Sequence, residues 1–67
     1  MTKTELEELR KLKYKIMRRL LDEAKMVKSL KKEDTRGVPH IFYDSIIQSI
    51  YENMKTVKIE FENYLGF

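Results

Sequence analysis

The chain has 67 residues, which is one domain at most. It has no cysteine, which excludes disulfides and thiolate metal sites, and its single histidine argues against zinc. Charged residues make up 37%, but the branched aliphatic and aromatic residues within the 42% that are hydrophobic are plentiful and regularly spaced, which points to a folded chain, and no apolar run approaches the ~20 residues that a membrane-crossing helix needs.

Below ~70–80 residues a core seldom suffices without a disulfide, a metal or another subunit. With the first two removed, extra stability is expected from association. The start, Met1-Thr2-Lys3-Thr4-Glu5-Leu6, lacks the apolar core of a signal peptide. A cytoplasmic setting is expected, whether the chain belongs to a cell, a virus or a plasmid. The net charge of +3 is uneven. Residues 1–37 hold 12 Lys/Arg against 7 Asp/Glu, and residues 38–67 hold 2 against 4. A basic arm laid along an acidic one is favourable, and a basic helix can also meet a polyanion.

The first arm is expected to be a helix over about 4–32. Thr2 or Thr4 can cap it, each with a glutamate three residues on (Glu5, Glu7). Leu6, Leu9, Ile16, Leu20, Val27 and Leu30 form its apolar seam, widened by Leu12 and Ala24. Lys13 and Glu23 interrupt a strict heptad, so the face suits a bundle better than a long coiled coil. A second strip, Tyr14, Met17, Leu21 and Ala24, runs beside the seam and is expected to need a further partner. Lys11, Arg18, Lys25 and Lys32 recur every seven residues, a spacing that places them opposite the seam. That row reads as a solvated face or as an electrostatic footprint for nucleic acid.

Lys31 to Gly37 is polar and holds the chain's internal glycine, and Pro39 suits the first turn of a following helix. A turn over about 33–38 is therefore expected. His40 lies there without a second ligand or a nucleophile. The second arm, about 39–65, carries the most regular stripe: Tyr43, Ile47, Ile50, Met54, Val57, Phe61 and Tyr64, broadened by Ile46 and Leu65. Thr56 to Phe61 alternates like a strand, but the heptad runs through it and a lone short strand would have no partner. Ile41, Phe42 and Ile59 fall off the stripe and point to contacts outside one hairpin. Gly66 is expected to end the helix, with Phe67 folding back onto its last turn.

The chemistry of an enzyme is missing. Serines lie on a polar helix face with no glycine-rich elbow, adjacent carboxylates do not face a cleft, and there is no phosphate loop. No cofactor, metal or small-molecule substrate is expected. Leu6-Glu7-Glu8-Leu9-Arg10 through Leu20-Leu21 resembles the first long helix of small bacterial chorismate mutases, which are dimers of helical subunits. The acidic positions of that helix fall here on Tyr14 and Met17, and its second catalytic arginine falls near Val27. Val38-Pro39-His40-Ile41-Phe42-Tyr43, followed by Ile46 and Ile50, is similar to the proline–Phe-Tyr helix start in subunits of the GINS replication complex.

The sequence thus predicts an all-α fold in one domain, 1–67: two long antiparallel helices, an α-hairpin dimerising into a four-helix bundle. Two function classes follow. One is a small non-enzymatic protein–protein interaction module, a regulator or inhibitor acting as a homo-oligomer on a larger protein. Its contact residues would be Tyr14, Met17, Leu21, Ile41, Phe42 and Ile59. The other is a nucleic-acid-binding bundle of plasmid or phage type using Lys11, Arg18, Lys25 and Lys32.

Overall fold

The computed structural model describes residues 2–66 and contains two helices, α1 (Lys3–Glu33) and α2 (His40–Leu65). Thr2 is the residue that caps α1: its hydroxyl oxygen accepts from the Glu5 N–H at 3.2 Å, and its carbonyl accepts from Leu6. That satisfies donors that a helix start otherwise leaves open. Lys31 and Lys32 lie at the negative end of the dipole. The alternating stretch Thr56 to Phe61 is helical, and the described residues contain no strand. Gly66 ends α2 at φ 77°, with its N–H donated to the Glu62 carbonyl. The expected contact of Phe67 lies outside the described residues.

The turn is built on Asp34. One carboxylate oxygen accepts from the Arg36 N–H at 2.9 Å and the other from the Val38 N–H at 3.1 Å. Arg36 also places its guanidinium 3.5 Å from the same carboxylate. The Asp34 side chain is almost wholly covered although it lies in a loop. The two backbone donors, Arg36 first, hold its carboxyl below the ordinary value of 3.8 against the opposing effect of burial. Tyr43 is buried beside this loop, and burial followed by the neighbouring Asp34 carboxylate pushes its phenol above its ordinary 10.0. Gly37, at φ 79°, takes the left-handed conformation that closes the loop. Pro39 then caps α2 from outside, one residue before it starts.

Among the described residues, α1 and α2 pack against each other along one interface. Ala24 is its tightest point, with 0% of its surface exposed, and Tyr43 and Ile50 are the other buried apolar residues. Around them Leu6, Leu9, Ile16, Leu20 and Val27 from α1 and Ile47, Met54, Val57 and Phe61 from α2 are half-buried. The seam departs from the heptads at both ends. Leu30 is 52% exposed and Tyr64 84% exposed, whereas Lys31 and Leu65 take the half-buried places. An α-helix of 3.6 residues per turn drifts ~20° per heptad against a strict seven-residue repeat. After two or three heptads the drift has carried Leu30 and Tyr64 off the contact line.

The trace measures 52 × 18 × 9 Å, with a radius of gyration of 15.7 Å. A compact chain of this length has a radius near ~11 Å. The hairpin is a single layer of helix, so each of its two broad sides faces outward.

Candidate interaction surfaces

Contacts across the helix pair define the two sides. On one, the Lys28 ammonium donates to the Tyr51 hydroxyl at 2.6 Å and Lys31 reaches Asp44 at 2.6 Å. The Lys28 nitrogen is 5.1 Å from the Tyr51 ring centre. With the hydroxyl so close, the cation sits beyond the ring's rim, and the contact is a hydrogen bond and not a cation–π stack. Lys28, Lys31, Lys32, His40, Asp44 and Ile47 line one open groove here. This is the lysine side.

The opposite side is the leucine side. Eighteen residues, five whole turns, separate Leu12 from Leu30 on α1 and Ile46 from Tyr64 on α2, so each pair shares a face of its helix. Leu30 shares a groove with Tyr43 and Asp34 near the turn. Ile16 shares another with Glu60, Phe61 and Tyr64 near the open end. Leu12, Leu30, Phe42, Ile46 and Tyr64 are all exposed. Glu23 and Asn53, seven residues from Leu30 and Ile46 respectively, lie between the two apolar clusters.

The six residues read from the sequence as protein contacts do not form one patch. Met17 and Leu21 are half-buried beside the seam, and Ala24, from the same strip, is its centre. That strip is therefore partly covered from within the hairpin. Tyr14 is exposed on α1 among Lys15, Arg18 and Asp22. Ile41 and Ile59, also five turns apart, lie on the back of α2, both exposed. Phe42 belongs to the leucine side, where its ring meets Tyr43 edge-on at 5.5 Å between centres.

Lys11, Arg18, Lys25 and Lys32 are all exposed. Arg18 pairs with Asp22 one turn on, at 3.5 Å. The same ~20° drift per heptad winds this row from the back of α1 at Lys11 to the lysine side at Lys32. The exposed apolar cluster of the leucine side was the feature sequence reading missed. Phe42 was read as an off-stripe contact residue, but Leu12, Leu30, Ile46 and Tyr64 counted there as seam residues or as ones broadening the seam, and the signal was the mismatch between a seven-residue repeat and a 3.6-residue turn.

The described residues contain no group of three His, Cys, Asp or Glu placed to hold a metal ion. Among them, no helix is long and apolar enough to cross a membrane. Comparison with known proteins finds no match to a family model, to a curated protein sequence or to a solved structure. The short stretches similar to chorismate mutases and to GINS subunits therefore extend to no family match.

Proposed function

We propose that this hairpin is a small non-enzymatic protein–protein interaction module, working in the cytoplasm as a homo-oligomeric helical bundle, most simply a dimer. Its role is that of a regulator or inhibitor, and its remaining surface engages a larger protein. One observation carries the reading: the chain is too open for its size. Its accessible surface is 5579 Å² at a mass of 8.1 kDa. A compact monomer of that mass exposes about 4,500 Å². The surplus, about 1,100 Å², exceeds the ~800 Å² that each partner buries in a standard interface. Much of what is exposed is leucine, isoleucine, phenylalanine and tyrosine.

Sedimentation equilibrium between about 1 and 100 µM tests this, a range set by interfaces of ordinary affinity. The expected result is a mass of two chains or more at the upper end. A well-folded monomer throughout would remove the reading.

A second reading has its own observation. Lys11, Lys25 and Lys32 stand exposed along one helix, and Lys28 extends that positive surface at the turn end. Such a surface suits the phosphates of RNA or DNA. It requires an affinity for duplex that falls steeply with salt and is abolished by Lys11→Glu/Arg18→Glu/Lys25→Glu with helix content kept. Binding that survives the triple change rejects it.

A further inference from the structure

We propose that the leucine side, centred on Leu30 and Ile46 near the turn and on Leu12 and Tyr64 near the open end, is the docking surface for a second copy of this chain. In that dimer both turns lie at the same end, and each α1 rests on the partner's α2. The proposal rests on the self-association argued above and adds the face and the orientation.

The choice of face follows from where apolar surface and charge fall. The lysine side meets water with Lys28, Lys31 and Lys32 around its groove, and of the two aspartates there Asp44 pairs with Lys31 while the carboxylate of Asp34 is covered and held within the turn. A copy of the same side laid against it would set the remaining positive charge of Lys28 and Lys32 against its like. The leucine side carries five exposed large apolar residues and, at its middle, Glu23 and Asn53. Two such sides bury the surface surplus, and they do so at the size a stable dimer requires.

The choice of orientation follows from level. Within the hairpin, residues stand side by side where their numbers sum to nearly the same value: Lys28 by Tyr51, Lys31 by Asp44, Ile16 by Phe61. Leu30 is thus level with Ile46, Leu12 with Tyr64, and Glu23 with Asn53. A two-fold axis running along the helices keeps every level and lays α1 on the partner's α2. Leu30 then meets the partner's Ile46, Leu12 meets the partner's Tyr64, and Glu23 meets the partner's Asn53, whose amide can donate to it. A two-fold axis across the helices lays α1 on α1 and sets Glu23 against the partner's Glu23 in the middle of an apolar contact. Two unpaired carboxylates there oppose association.

The test uses the full chain. Leu30→Glu/Ile46→Glu places charge on the leucine side at residues already 52% and 37% exposed. Sedimentation should show self-association weakened by roughly 100-fold or more, as expected for burying carboxylates in an apolar contact. Tyr14→Glu/Ile41→Glu, away from that face, should leave it unchanged. A dimer that survives the first pair and is lost with the second overturns the face while leaving self-association in place. A parent chain that is monomeric throughout overturns both.

The second measurement does not depend on those variants folding. The chain has no cysteine, so introduced thiols report alone. Glu23→Cys and Asn53→Cys chains, mixed and mildly oxidised, should give the mixed disulfide dimer. Asn53→Cys alone should give little. Efficient cross-linking of Asn53→Cys to itself with no mixed product overturns the orientation.

Discussion

Replacing Ala24 with leucine tests the centre of the seam. Ala24 has no exposed surface, and it is the most completely buried residue of the α1–α2 seam. A leucine there adds three carbon atoms where the structure leaves no room for them. Inserting methylenes into a packed site costs about 1–3 kcal/mol. Were Ala24 on the outside of the helix, the same change would cost at most a few tenths of a kcal/mol, because alanine and leucine are both good helix formers. The two cases are thus separated by several-fold. In a chain of this size 1 kcal/mol moves the midpoint by about 4–8 °C. Ala24→Leu should therefore melt at least ~4 °C below the parent when followed by circular dichroism at 222 nm at one fixed concentration. A variant that melts with the parent or above it would refute the packing described here. Comparison must be at equal concentration, since a dimer's midpoint rises with concentration.

Gly37→Ala should destabilise by about 1–2 kcal/mol in urea unfolding, because its φ of 79° strains an L residue even though a Cβ would meet nothing within 4 Å. The Asp34 carboxyl has a folded pKa below 3.8, so its contribution is present above that value and is lost as pH falls through the lower folded one. Urea midpoints between pH 5 and pH 2 should fall less steeply in Asp34→Asn than in the parent. Tyr43 works in the opposite range: its raised phenol favours the folded state below pH 10.0, and stability should decline as pH rises above that value, a decline that Tyr43→Phe removes. Lys31→Met should shift stability by no more than ~1 kcal/mol, because methionine keeps the half-buried stem and the Lys31–Asp44 pair lies at the solvent-facing edge of the seam, and a larger loss would mean that the ammonium is more than a surface partner.

Much of this fold was readable in residue spacing. The uninterrupted run from Thr4 to Lys32, the punctuation at Gly37 and Pro39, and the stripe from Tyr43 to Phe61 each correspond to an element that formed. Spacing failed where a seven-residue repeat was followed too far. Leu30 and Tyr64 keep perfect heptad positions, yet they sit outside the seam because the helices turn every 3.6 residues. Lys31 replaces Leu30 by lying along the seam with its stem and reaching Asp44 with its charge. The clamp at Asp34 was also invisible: an aspartate in a polar loop carries no sign that its carboxylate will be covered and will accept two backbone N–H groups. The apolar side was hidden for the first reason, since all its residues but Phe42 looked like core until the drift had been counted.

The position of that clamp bears on how the molecule opens. The cross-hairpin pairs Lys31 with Asp44, Lys28 with Tyr51 and Ile16 with Phe61 follow one another from the turn outward like the teeth of a fastener. Closing the short loop at Asp34 costs little entropy, so the first pairs beside it form readily and each later pair builds on the one before. Unfastening should start where Thr2 and Gly66 terminate the two arms and travel inward. Amide exchange is then fastest there and slowest between Ala24 and Ile50. A binding partner that grips the free ends would protect the whole chain without touching the loop that closes it.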